Sequence, residues 1–286
     1  MMDDTNSSRT ALRVRIEKIR SFLKDILESF SPAEKFIFGI LAILITITSV
    51  ASFSRLYASI LVEVPSKGGS YIEGIVGTPR FINPVLATSD ADRDLTNLLY
   101  SGLMRATPEG DFVPDLAESY EISEDGLVYT FVLKDDLTFH NGDRITSEDI
   151  EFTIEKIQDP FIKSTRRNAW EGVSVKTLDT KTVQFILSQP YTPFIENTTI
   201  GILPKSVWKN ITADEFTFSI YNTEPIGSGP FEFKKLKTDS SRSPSEYILG
   251  GFKNHSLGEP FLEMITVKIF QSESVLVEAF EDKKID

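Results

Sequence analysis

Residues 127–160 read LVYTFVLKDDLTFHNGDRITSEDIEFTIEKIQDP, and three structural signals follow one another within them. The first seven residues alternate, with Tyr129, Phe131 and Leu133 on one side and Val128, Thr130 and Val132 on the other, as in a strand with two faces. Phe139-His140 then runs into Asn141-Gly142, a dipeptide that tolerates positive φ and so predicts a type I′ hairpin turn. Thr146 with Asp149 three positions on forms a helix start, and Ile150, Ile154 and Ile157 lie on one face before the stop near Asp159-Pro160.

Outward from this stretch the interleaving continues. Residues 173–178 and 182–187 flank LDTK as a hairpin. Upstream, residues 70–76 form the first predicted strand, ended by Gly77-Thr78-Pro79. Ser89 with Asp92 is a second capping pair, and Leu95, Leu98, Leu99, Gly102 and Leu103 mark a helix face that leads to a loop over 107–115. Downstream come the stretch 200–204, a Gly/Pro turn over 226–230 opening a strand at 231–233, an exposed Ser-rich loop at 239–245, a strand at 264–270 and a helix at 273–280. Strands and helices alternate with no internal repeat, so the fold class is α/β with antiparallel hairpins.

A different pattern precedes this body. Residues 36–54 (FIFGILAILITITSVASFS) hold no charge, and at 1.5 Å per residue a helix of about 20 residues crosses the hydrocarbon core. Ser31-Pro32 supplies its cap and first turn. Arg9, Arg13, Arg15, Lys18, Arg20, Lys24 and Lys35 lie before the run, against Arg55 and Lys67 after it, which predicts a cytoplasmic N-terminus. A cleaved signal peptide is the rival reading, but its charged region is short, whereas here 35 residues precede the run. Residues 11–30 carry apolar positions at helical spacing among basic ones, a pattern shared by a helix lying on the inner leaflet and by a plain solvated helix.

Composition removes several chemistries. The 286 residues include no cysteine, so disulfides, thiolate metal sites and cysteine nucleophiles are excluded. A net charge of −12 argues against a nucleic-acid surface. His140 and His255 are the only histidines, and no partner stands at metal-ligand spacing from either, so both are read as structural, with no metal and no cofactor. Gly227-Ser228-Gly229-Pro230 lacks the Lys-Ser/Thr of a phosphate loop and reads as a tight turn. Asp135-Asp136 and Glu148-Asp149 are neighbours whose side chains point apart, suited to caps and turns rather than paired acids. Trp170 and Trp208 are read as packing aromatics. No enzyme site emerges.

Residues 98–160, LLYSGLMRATPEGDFVPDLAESYEISEDGLVYTFVLKDDLTFHNGDRITSEDIEFTIEKIQDP, resemble one family throughout: the bacterial extracellular solute-binding proteins of family 5, which serve peptide, oligosaccharide and nickel uptake transporters. The shared marks are a Tyr-x-Gly-Leu, a Pro-Asp-Leu-Ala-Glu-Ser segment, a Tyr-Thr-Phe strand, a Phe-His-x-Gly turn and a Thr-x-Glu-Asp helix start. GILPKSVW, PIGSGPFEF and the closing NHSLGEPFLEMITVKIF…AFEDKKID follow at family-like spacing, although Lys283-Lys284-Ile285-Asp286 stands where Gly-Glu-Ile-Asp is usual.

The resemblance implies part of a type II clamshell, a periplasmic-binding-protein-like fold preceded by one transmembrane helix. The expected division is a cytoplasmic basic segment (1–35), an anchor (36–58), a tether (59–69), a segmented main lobe (70–89 and 201–286) and a hairpin-rich accessory lobe (90–200). The match stops where the family's second large lobe begins, so the chain is expected to be incomplete at its C-terminus or completed by another polypeptide. The function implied is that of a membrane-anchored receptor passing an oligopeptide or other small solute to ABC permease subunits. A surface scaffold that kept one lobe is the alternative. By the same resemblance the cleft edge is Gly77, Thr78, Pro79 and Arg80, where Gly77 admits a ligand close to the backbone and Arg80 meets a carboxylate. A plain strand-to-helix connection with Arg80 in solvent is the other reading of those four residues.

Overall fold

The structure, a computed structural model, describes residue 17, residues 29–60 and residues 66–286. The chain divides into two units, Met1–Val64 and Pro65–Asp286. In the first, helix α1 spans Pro32–Ile60. Ser31 Oγ accepts from Glu34 N at 3.4 Å, and Glu34 returns the contact through Ser31 N at 2.8 Å, which closes the predicted cap. Pro32–Tyr57 is long and apolar enough to cross a membrane, with a mean hydropathy of 2.4 and none of its stretch buried. The pattern over 11–30 and most of the basic flank lie outside the described residues.

The second unit is built on two four-stranded sheets. Strand β1 (Ser70–Val76) and helix α2 (Asp90–Leu99) open it, followed by the short pair β2 (Met104–Ala106) and β3 (Phe112–Pro114). Strands β4 (Ala117–Ile122) and β5 (Val128–Leu133), helix α3 (Ser147–Gln158), and strands β6 (Val173–Thr177) and β7 (Thr182–Leu187) come next. After three single-turn helices, strands β8 (Phe231–Thr238), β9 (Pro244–Gly251) and β10 (Met264–Phe270) lead to helix α4 (Glu273–Glu281). One sheet has the order β1-β10-β9-β8, with β1 parallel to β10 and the other pairs antiparallel. The other, β4-β5-β7-β6, is antiparallel throughout.

The alternation in β5 does what its spacing predicts: Tyr129, Phe131 and Leu133 are buried. They meet an aromatic cluster in which Phe131 lies 5.7 Å from Phe185, and Trp170 lies 5.5 Å from both Phe185 and Phe194. Ile150, Ile154 and Ile157 of α3 are fully buried against the same sheet. Asp149 caps α3 and also accepts Lys205 N at 2.9 Å, so it is buried rather than solvated, and burial holds its carboxyl above the usual carboxylate range despite those bonds. Trp170 and Trp208 are core residues.

Several expectations need correction. Helix α2 ends at Leu99; Tyr100 is extended, so Gly102 and Leu103 lie beyond the helix. The turn at His140 is not type I′, because only Gly142 has positive φ (+87°). Gly142 N donates to Phe139 O, placing Asn141 third and Gly142 fourth in the turn, and the Asn141 side chain accepts from Asp143 N at 3.1 Å. Strand β8 is longer than 231–233, and β9, β2, β3 and β4 were not foreseen. Residues 67–69 of the expected tether are fastened to the body, through a Lys67–Glu259 ion pair at 2.6 Å and a bond from Gly68 N to Phe261 O.

The two sheet regions meet where the turn at Gly227 and Gly229 lies on the end of α2. Gly229 N donates to Leu99 O at 3.0 Å, and a Cβ on Gly227 would collide with that same carbonyl and come within 2.9 Å of the Tyr100 ring. Gly227→Ala is therefore expected to lower stability by about 2–3 kcal/mol through overpacking. Gly142→Ala, where a Cβ meets only open space, should cost about 1 kcal/mol for its backbone alone. Urea unfolding of the full chain in detergent, followed by tryptophan fluorescence, measures both; equal losses would contradict the packing account.

Candidate functional site

The β1–α2 connection, residues 77–89, contains all four residues expected at a cleft edge. Gly77 extends the β1–β10 ladder, its N donating to Phe270 O at 2.9 Å, and turns the chain at φ +92°. Nothing lies within 4 Å of where its Cβ would be, so backbone handedness rather than crowding calls for glycine there. Pro79 is buried, whereas Thr78 and Arg80 face solvent. The Arg80 guanidinium lies 5.5 Å from the centroid of the Phe81 ring, a cation–π contact that orients it across the surface.

What makes this edge rigid was only half visible in the sequence. Asp92, read as a capping residue, is buried, and its two carboxylate oxygens accept four backbone amides. Arg80 N (2.7 Å) and Phe81 N (2.9 Å) bond to Oδ1; Ser89 N (3.2 Å) and Thr88 N (3.4 Å) bond to Oδ2. Burial opposes its charge, but the amides of Phe81 and Arg80 and the Ser89 contacts outweigh that cost and hold its pKa below the usual carboxylate range. Asn83, also buried, donates to Asn222 Oδ1 at 3.0 Å and accepts Val85 N at 2.9 Å; Ile82 N donates to Asn222 O, and Ser164 Oγ donates to Val85 O at 2.6 Å. No periodicity or motif marks Asn83, Asn222 or Ser164, since each acts through a partner far away in the chain.

Beside the edge, an apolar groove of about 490 Å³ opens between α2 and the β1–β10 sheet, lined by Tyr71, Ile75, Leu95, Leu98, Ile265 and Val267 among others. A second cavity of about 520 Å³ lies beside Ser101, Asp115 and His255. There His255 Nε2 stands 3.3 Å from Ser101 Oγ, and Ser256 Oγ donates to Asp115, so two successive residues latch the loop after β9 to the chain after α2. Among the described residues no three His, Asp or Glu side chains converge as a metal site.

His140 holds the turn above α2. Its Nδ1 accepts Gly227 N at 3.2 Å, which leaves Nε2 as the protonated nitrogen, donating to Gly229 O at 3.1 Å. A second proton would set one donor against another at Nδ1. Burial pushes its pKa down to about 4, the Gly229 carbonyl only partly opposing this.

The comparisons with known proteins agree with this architecture. The family described as bacterial extracellular solute-binding proteins, family 5 Middle, matches residues 111–286. The oligopeptide-binding protein AppA of Bacillus subtilis (strain 168) is 30% identical over 243 residues, covering 83% of this chain and 44% of that protein. The structure of AppA in complex with a nonapeptide superposes with a TM-score of 0.72 at 28% identity, over 78% of this chain and 44% of that one. NikZ from Campylobacter jejuni, in complex with Ni(L-His), gives a TM-score of 0.68 at 30% identity, over 76% and 42%. The fold is thus that of the periplasmic binding proteins, and these relatives are solute-binding proteins rather than enzymes. The chain spans less than half the length of each of these relatives.

Two outcomes test the site's construction. Asp92→Asn places an amide where an oxygen accepted backbone N–H groups, and a loss of about 2 kcal/mol is expected in the urea midpoint. His140 has a folded pKa of about 4, below its unfolded value of about 6.5. The fold therefore favours the neutral ring: its contribution is complete above pH 6.5 and is lost as pH falls from there through 4, by about 3 kcal/mol in all. The difference in stability between pH 7 and pH 4.5 should shrink in His140→Gln, and an unchanged difference would remove His140 as its source.

Proposed function

We propose, from the premise that this chain belongs to the bacterial extracellular solute-binding proteins of family 5, that it is a membrane-held receptor that collects peptides outside the cytoplasm for an ABC permease. The family match over 111–286 carries the reading, and the peptide-binding relatives favour peptides as the solute. Helix α1 is the single-span anchor, with the N-terminus cytoplasmic; its uncharged run and the basic excess before it support that orientation. Residues 66–286 then stand on the outer side, with 70–89 and 201–286 as the main lobe and 90–200 as the accessory lobe.

The ligand contacts fall on Gly77, Thr78, Pro79 and Arg80. Gly77 and Pro79 shape the edge; Thr78 and Arg80 offer a hydroxyl and a guanidinium to an extended chain. Such a chain is gripped through its backbone, which leaves side-chain choice loose. A binding protein of this kind passes its solute on when the closed state, stabilised by contacts to both walls of the cleft, opens at the permease.

Cell fractionation with external protease tests the topology: the chain should sediment with membranes, and residues after 70 should be cut in spheroplasts. Release of a shortened soluble form would overturn the anchor. Equilibrium dialysis of the detergent-solubilised full chain against mixed oligopeptides tests the solute. Retention of peptides is expected, weakened about tenfold or more by Arg80→Gln, which removes the carboxylate contact; unchanged retention would remove Arg80 from the site.

A further inference from the structure

Three segments that lie far apart in sequence are hydrogen-bonded to one another at the candidate edge: 77–89, 161–170 and 216–222. Ser164 ties the second to the first, and Asn222 ties the third to it. Together they contain four cations, Arg80, Lys163, Arg166 and Arg167, and no Asp or Glu, within a chain that carries 42 acids against 30 bases. All four cations are exposed, and among the described residues none of them forms an ion pair. Arg93 reaches from α2 to Thr88 O at 2.5 Å, but it is paired with Asp90 at the border of the first segment and adds no free cation. Burial first, and then the nearby charge of Arg93, lowers the Arg166 pKa. The same segments expose large apolar side chains: Phe161 at 76%, Phe218 at 87% and Ile220 at 57%.

We propose that this basic and aromatic island selects anionic peptides, in which carboxylates flank apolar side chains. The inference rests on the peptide-receptor reading and adds the class of peptide. Guanidinium groups pair with carboxylates in two-pronged geometry, and exposed aromatic side chains supply apolar contact between them. Because the protein as a whole is acidic, its long-range field repels such ligands, so the preference is exerted at contact distance and weakens with salt.

The test uses the full chain, isotopically labelled, in nanodiscs of zwitterionic lipid, titrated with Glu-Phe-Glu, Gln-Phe-Gln and Lys-Phe-Lys while backbone amide shifts are followed. Glu-Phe-Glu should shift amides in the three segments with a Kd about tenfold below that of Gln-Phe-Gln. In the Arg166→Gln/Arg167→Gln variant, whose altered side chains are solvent-facing, that ratio should fall towards one. Equal or stronger binding of Gln-Phe-Gln or Lys-Phe-Lys, or shifts confined to other segments, overturns the charge preference and leaves the peptide reading standing. If no peptide of any charge shifts any amide at millimolar concentration, the peptide reading itself falls and the inference with it. Shifts of these amides only when phosphatidylserine is added to the nanodisc would make the island a membrane-facing surface and overturn the proposal.

Discussion

One carboxylate sets the edge on which the functional reading depends. Four backbone amides, two from each end of the β1–α2 connection, converge on Asp92. A loop of this length has many conformations open to it, and ordering each residue costs about 1–2 kcal/mol. Bonds between amides and a buried carboxylate are among the stronger kinds available to offset that cost, because the acceptor carries full charge in a medium of low polarity. The same residue is the third position of α2, so the helix and the loop are fixed by one group. Any ligand contact made by Thr78 or Arg80 inherits its position from this arrangement.

A second constraint is the near-absence of space where the Gly227–Gly229 turn crosses the end of α2. Backbone lies on backbone there, and His140 closes the crossing from the other side by accepting one amide and donating to one carbonyl. The ring does this only when neutral, and burial keeps it so by holding its pKa far below the ordinary histidine value. Phe252 packs edge-on against the ring, with centroids 4.8 Å apart, and keeps it from water.

Local signals read the elements that are local. The alternation of β5, the caps of α2 and α3, and the uncharged run of α1 are each contiguous in sequence, and each element starts where its pattern put it, although α2 stops at Leu99, short of its full apolar pattern. What escaped was non-local. Strand β9 ends in Leu249-Gly250-Gly251 and begins at a proline, so its own sequence argues against a strand; pairing on both sides, to β8 and β10, overrides that tendency. The turn at Asn141-Gly142 has the residues of a type I′ hairpin, but the bonds from His140 to Gly227 and Gly229 fix a different backbone. At the candidate site Gly77 and Arg80 are expectations of the family resemblance, and the structure places them on the β1–α2 connection. Asn83, Asn222 and Ser164 were not, because their meaning lies in partners 79 to 139 residues away.

The parallel pairing of β1 with β10 has a consequence for how the second unit comes into being. The first strand of that unit finds its neighbour only after roughly 200 further residues have been made, Ser70 lying opposite Met264. At about 5–20 residues per second, synthesis leaves β1 without that partner for on the order of 10 to 40 s. Its sheet is therefore assembled late, from contacts of high sequence separation, and such topologies fold slowly. Until then β1 waits without a neighbour in its own sheet, whereas the β4-β5-β7-β6 sheet, whose strands all lie within residues 117–187, already has every one of its pairing partners.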